Sequence, residues 1–98
     1  MTTLSTHVLD AGLGAPAVGM EVVLTGADGA ELQRATTDED GRVRFHPALP
    51  GGRHTLTFLT GTAFHPVVRV DFTVEAAEPH HHVALLMSPF AYTTYKGS

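Results

Sequence analysis

Short runs of period-two alternation, broken by turn residues roughly every ten positions, most restrict what this 98-residue chain can fold into. In Val18–Thr25, Met20, Val22 and Leu24 fall on one face. In Arg42–His46, Val43 and Phe45 oppose Arg42, Arg44 and His46; in Arg53–Leu59, His54, Leu56 and Phe58 alternate with Thr55, Thr57 and Leu59. Val68, Val70 and Phe72 share a face of Val67–Val74. Between these runs stand Gly26-Ala27-Asp28-Gly29, Asp38-Glu39-Asp40-Gly41 and Leu49-Pro50-Gly51-Gly52. Such turn sequences suit tight connections because Gly, and Asp to a lesser degree, accepts positive φ. With Leu4–Leu9, Glu31–Thr37, His80–Met87 and Ala91–Tyr95, about eight strands are expected and no convincing helix. This pattern reads as one all-β, two-sheet sandwich spanning residues 1–98.

Composition removes several function classes. There is no cysteine, so disulfides cannot staple the fold. The six Lys and Arg residues are scattered in a chain of net charge −4, and without a basic patch nucleic acid is not an expected partner. No apolar run approaches the ~20 residues of a membrane span, and the N-terminus lacks a basic-then-apolar signal pattern, so a cytoplasmic protein is expected. Only 16% of residues are charged, which leaves few devices against self-association.

Chemistry-bearing residues concentrate near the ends. In His80–Met87, the set His81, Val83, Leu85 and Met87 suits a core, which puts His80, His82, Ala84 and Leu86 on the outer face. In the first strand His7 and Leu9 share a face opposite Val8. Histidines beside apolar residues on an outer face make sense where that face lines a cleft between subunits. By itself a surface histidine is usually a solvated polar group, and this is the reading for His46, His54 and His65. His80 and His82 are the only pair within their strand able to share a metal ion; no Cys or carboxylate at ligand spacing accompanies them, so no metal is expected.

The run Leu4-Ser5-Thr6-His7-Val8-Leu9-Asp10, the strand His80-His81-His82-Val83-Ala84-Leu85-Leu86 and the closing Tyr95-Lys96-Gly97-Ser98 together resemble the transthyretin-related family of 5-hydroxyisourate hydrolases. Its members open with a similar LSTHVLD run and close on Tyr-Arg-Gly-Ser. The resemblance implies a transthyretin-like sandwich, a homotetramer with sites in a central channel, and cofactor-free hydrolysis of a small-molecule substrate, 5-hydroxyisourate. It also implies a catalytic set of His7, Arg42, His82 and Ser98. In that set one histidine activates water and the other protonates or orients, with the order left open. Arg42 binds the ring oxygens or a developing oxyanion, and Ser98 positions substrate or water, its carboxylate able to orient a histidine or Arg42. Tyr92 and Tyr95 read as packing residues, Tyr95 also as a candidate for the site wall.

The chain departs from the family pattern at several points. His81 stands for the tyrosine of His-Tyr-His, Ala84 for a proline and Lys96 for an arginine, and the segment Leu59–Ala63 is shorter than the usual short helix there, which is expected to be reduced or absent. Two rival readings use the same fold: a non-enzymatic carrier of a small aromatic ligand, and a structural or adhesive module. The joint presence of His7, Arg42, His82 and Ser98 favours the hydrolase over the first, because a carrier has no need of that polar set. A free-standing domain counts against the second.

Overall fold

The computed structural model describes residues 1–97. Nine strands are found among them: β1 (Thr3–Asp10), β2 (Ala15–Pro16), β3 (Glu21–Gly26), β4 (Glu31–Thr36), β5 (Arg42–Arg44), β6 (Gly52–Leu59), β7 (Val68–Val74), β8 (His80–Met87) and β9 (Tyr92–Gly97). One sheet runs β2-β1-β8-β9, with β5 also paired to β1; the other runs β4-β3-β6-β7. The expected two-sheet sandwich is what forms. The extra strand is β2, two residues long, which pairs Leu9 with Pro16 and Asp10 with Ala15.

Alternation sets the core. Leu4 and Val8 of β1, Val22 and Leu24 of β3, Leu56 and Phe58 of β6, and Val83, Leu85 and Met87 of β8 are buried between the sheets. Thr6 lies on the same inward face of β1 and is fully buried; its hydroxyl donates to the Val83 carbonyl at 2.6 Å, so it brings no unpaired polar group into the core. His81 is also inward and buried, and its Nε2 accepts the Glu75 amide at 3.1 Å.

His54 departs from its expected solvated state and is 4% exposed. Its inward alternation with Leu56 and Phe58 outweighs its polarity. The ring lies 6.1 Å from that of Phe72, and Nδ1 is 3.1 Å from the Gly52 carbonyl oxygen. His46 is exposed as expected, whereas His65 is half-buried between Phe64 and Tyr92.

No helix occurs between β6 and β7. That connection is closed instead by the Thr60 and Thr62 hydroxyls, which both donate to the His65 carbonyl, and by the Gly61 amide, which donates to Pro66 O at 3.1 Å.

The turn before β5 is the most constrained connection. Asp38 Oδ1 accepts the amides of Asp40 (2.9 Å) and Arg42 (3.0 Å), and the Asp38 amide donates back to Arg42 O at 3.0 Å. These bonds, the Arg42 amide foremost, hold the Asp38 carboxyl below its ordinary pKa. Gly41 sits within the turn at φ 74°, and its carbonyl accepts the Val8 amide at 2.8 Å. Thr37 anchors the turn from the other side. Its buried hydroxyl donates to Ala17 O at 2.7 Å and accepts the Met20 amide at 2.8 Å. Thr37→Val keeps the shape but orphans both partners, and is expected to destabilise the protein by about 1–3 kcal/mol. Urea unfolding at fixed protein concentration measures this; a change within about 0.5 kcal/mol would mean the two groups find other partners.

Candidate active site

The site is built on the outer face of the five-stranded sheet by strand register. Strands β1 and β8 run parallel, pairing Ser5 with His82 and His7 with Ala84. On the other side of β1, Arg42 faces His7 and Arg44 faces Ser5; beyond β8, Tyr95 faces Ala84 and Gly97 faces His82. Two adjoining rows cross the sheet as a result: Arg42, His7, Ala84, Tyr95, and Arg44, Ser5, His82, Gly97. Rows on one face repeat every second residue, about 6.6 Å apart, and the His7 and His82 rings lie 6.5 Å centre to centre at 48°.

His7, Arg42 and His82 therefore converge, although they come from three separate segments of the chain. They line one open concavity of about 490 Å³ with Ala84, Tyr95, Lys96 and Gly97. Ala84 forms its floor: a single methyl between His7 and Tyr95 leaves the depression that a longer side chain would fill. Tyr95 is on the wall, as expected. Ser98, the fourth expected site residue, lies outside the described residues. A second cavity, of about 310 Å³, opens between the sheets beside Val70, Phe72, His81 and Val83; it includes neither His7 nor Arg42.

The electrostatics favour a neutral His82. Its pKa is lowered from the usual 6.5, first by burial, then by the positive charge of Arg42 and by His7 and His80. Among the described residues the ion pairs are those of Arg34 with Glu21 and Glu31 on the other sheet, so none engages Arg42. Arg42 gives the concavity a positive charge, suited to a ligand rich in carbonyl oxygens or carrying negative charge.

An NMR titration of the His82 ring protons is accordingly expected to show a midpoint below 6.5. The folded protein binds this proton less tightly than the unfolded chain does. The stability His82 contributes is therefore present above pH 6.5 and is lost as pH falls through the depressed folded value. A midpoint at or above 6.5 would overturn this reading.

Three features of the site were not anticipated from sequence. The first is a hydrogen-bonded file behind His82: Ser5 Oγ lies 2.7 Å from His82 Nδ1 and 2.8 Å from His80 Nε2, and Thr3 Oγ1 lies 2.6 Å from His80 Nδ1. The sequence signal for it was i, i+2 spacing, which puts Ser5 with His7 and His80 with His82 on one face. Ser5 thus stands between the two histidines that could have shared an ion, and among the described residues no three metal-ligating side chains converge. The second is Gly97, whose backbone packs so closely on the His82 ring that a Cβ there would overlap Cδ2. The third is the Asp38 turn, which fixes where Arg42 begins.

A two-sheet sandwich with this strand order, bearing paired histidines and an arginine on one outer sheet face, defines a transthyretin-like protein with an equipped site. A model of the HIUase/Transthyretin family matches residues 4–97, and the chain belongs to that family. It is 37% identical to the 5-hydroxyisourate hydrolase of Caulobacter vibrioides over the whole of both chains. The structure of Klebsiella pneumoniae 5-hydroxyisourate hydrolase superposes with a TM-score of 0.90 at 38% identity, covering all of both chains. Sea bream transthyretin in complex with thyroxine superposes with a TM-score of 0.86 at 30% identity, covering 96% of this chain and 93% of that one.

Proposed function

We propose that this protein hydrolyses 5-hydroxyisourate to 2-oxo-4-hydroxy-4-carboxy-5-ureidoimidazoline in urate breakdown, and that it does so in the cytoplasm without a cofactor. The observation that carries this reading is the convergence of His7, Arg42 and His82 on one concave sheet face. The full-length likeness to hydrolases of that name supports it.

The reaction adds water to a ring carbonyl and breaks the adjacent C–N bond. The carbonyl carbon becomes a carboxylic acid, which loses its proton to solvent, and the ring nitrogen leaves as part of a ureido group. In the step itself one proton must be taken from water and one given to nitrogen. Two imidazoles 6.5 Å apart on one face suit such an exchange across a bound ring. The Arg42 guanidinium, opposite His7 in register, can fork onto the oxygens where negative charge builds up. Ser98, which follows Gly97 in the chain, is kept as a substrate-positioning group on the strength of its motif.

The proposal includes a homotetramer in which this face lines a channel. Leu86 and Tyr95 on it are 39% and 52% exposed, apolar surface that a subunit contact would cover. The deciding experiment generates 5-hydroxyisourate in place from urate with urate oxidase and follows its decay against the spontaneous background. Acceleration is expected; background decay in the presence of folded protein would leave a ligand carrier as the better reading.

A further inference from the structure

The hydrogen-bonded file behind His82 can take either of two polarities, set by where the Thr3 hydroxyl donates. The Thr3 hydroxyl lies 3.2 Å from the Pro79 carbonyl oxygen, which can only accept. When Thr3 donates there, its oxygen must accept from Nδ1–H of His80 at 2.6 Å. His80 Nε2 is then a bare lone pair, and the Ser5 hydroxyl donates to it at 2.8 Å. The Ser5 oxygen in turn accepts from Nδ1–H of His82 at 2.7 Å. With this polarity Nε2 of His82, at the end of the file, carries no proton and is the nitrogen left for the concavity.

We propose that Ser5 and His80 are positioning residues that make His82, not His7, the base, and that they relay the proton it takes from water out to His80. This rests on the hydrolase reading and deepens it. In the step, Nε2 of His82 takes a proton from water as the oxygen bonds to the substrate carbonyl. Nδ1 of His82 gives its proton to Ser5 Oγ, and Ser5 gives its own proton to Nε2 of His80. The charge is conserved: one imidazolium results, on His80 rather than His82.

The surroundings favour that destination. His82 is half-buried, and around it stand His7 from β1, Arg42 and Arg44 from β5, His80 on its own strand, and Tyr95 and Lys96 from β9. His80 is exposed at the beginning of β8, where water stabilises the cation. The reverse polarity, with Thr3 donating to His80, would place a proton on Nε2 of His82. Return of the file to its first state after each turnover restores the base. His7, outside the file, is left to pass a proton to the departing nitrogen, and regains one from solvent as His80 releases its own to solvent.

The test joins a readout of the ring to a readout of turnover. Nitrogen-15 spectra of the histidine rings are expected to show His82 protonated at Nδ1 in the protein as it stands, and to lose that preference in Ser5→Ala. In the decay assay, Ser5→Ala and His80→Gln are each expected to lower kcat by roughly 10–100-fold with KM changed far less. Ser5→Thr, which keeps the hydroxyl, should recover most of the loss. A proton found on Nε2 of His82, or a kcat within about 2-fold of the parent in Ser5→Ala, would overturn the proposal. A loss in Ser5→Ala that Ser5→Thr does not repair, with the tautomer unchanged, would also overturn it. Should the parent protein prove inactive on 5-hydroxyisourate, the hydrolase reading fails. The nitrogen spectra then decide the file by themselves.

Discussion

His82→Ala is expected to lower kcat/KM for 5-hydroxyisourate by about 10²–10⁴-fold in a protein that remains folded, the loss typical of removing a positioned acid or base. The ring lies on the outer face of the sheet, half-buried, and its contacts are with Ser5, His7 and the Gly97 backbone rather than with the hydrophobic core. Truncation therefore removes chemistry without opening a core cavity, and the urea midpoint should move little. His7→Ala is expected to be comparably damaging. The double variant should fall only slightly below the worse single one, since residues acting on one reaction as a unit are strongly non-additive. Urate-oxidase-coupled decay, read beside an unfolding curve for each variant, measures both properties. Activity within about 3-fold of the parent in folded His82→Ala would remove His82 from the site.

Gly41→Ala is expected to be the most damaging single methyl that can be added near the site. At φ 74° an L side chain is strained by about 1–2 kcal/mol. The new Cβ would also overlap the Val8 carbonyl and stand 3.0 Å from Pro16 Cβ, and backbone on the β1 side cannot yield as a flexible side chain would. Overpacking of this kind adds about 1–3 kcal/mol. Relief requires β5 to move away from β1, which carries Arg42 away from His7. The variant should therefore lose about 2–5 kcal/mol of stability and show a raised KM or lowered kcat even where it is fully folded. Calorimetry and the decay assay at one protein concentration give both; a variant with unchanged stability would show that this turn is not as tightly held as its hydrogen bonds indicate.

Much of the sandwich was legible because strand alternation is a local signal. Val22 with Leu24, Leu56 with Phe58, and Val83 with Leu85 all went to the core as their spacing required. What was not legible depended on partners distant in sequence. The parallel pairing of β1 with β8 has no local signature, and β2 is too short to show alternation. His54 taken alone is expected in solvent although it alternates with Leu56 and Phe58; its neighbour across the pair with β7, Phe72, completes its burial. In the site, His7, Arg42 and His82 were named from motifs, but their convergence is a fact of register. Sequence brings in His80 only as a possible metal partner of His82 and gives Ser5 no role, because a serine or histidine acquires direction only from what it bonds to, and Ser5 meets its partners across more than seventy residues.

That distance bears on how the protein is made. Thr3 pairs with His80, so the ribosome must add a further 77 residues after β1 before its central partner exists. At about 5–20 residues per second this takes on the order of 4–15 s. Until then β1 has only β2 and β5 along one edge, and the Leu4–Val8 face awaits the rest of its core. The nascent chain thus presents an apolar strand with an open edge throughout its synthesis, the state in which chaperones bind and neighbouring chains on a polysome can pair wrongly. A newly made molecule acquires its fold and its paired histidines in the same closing event.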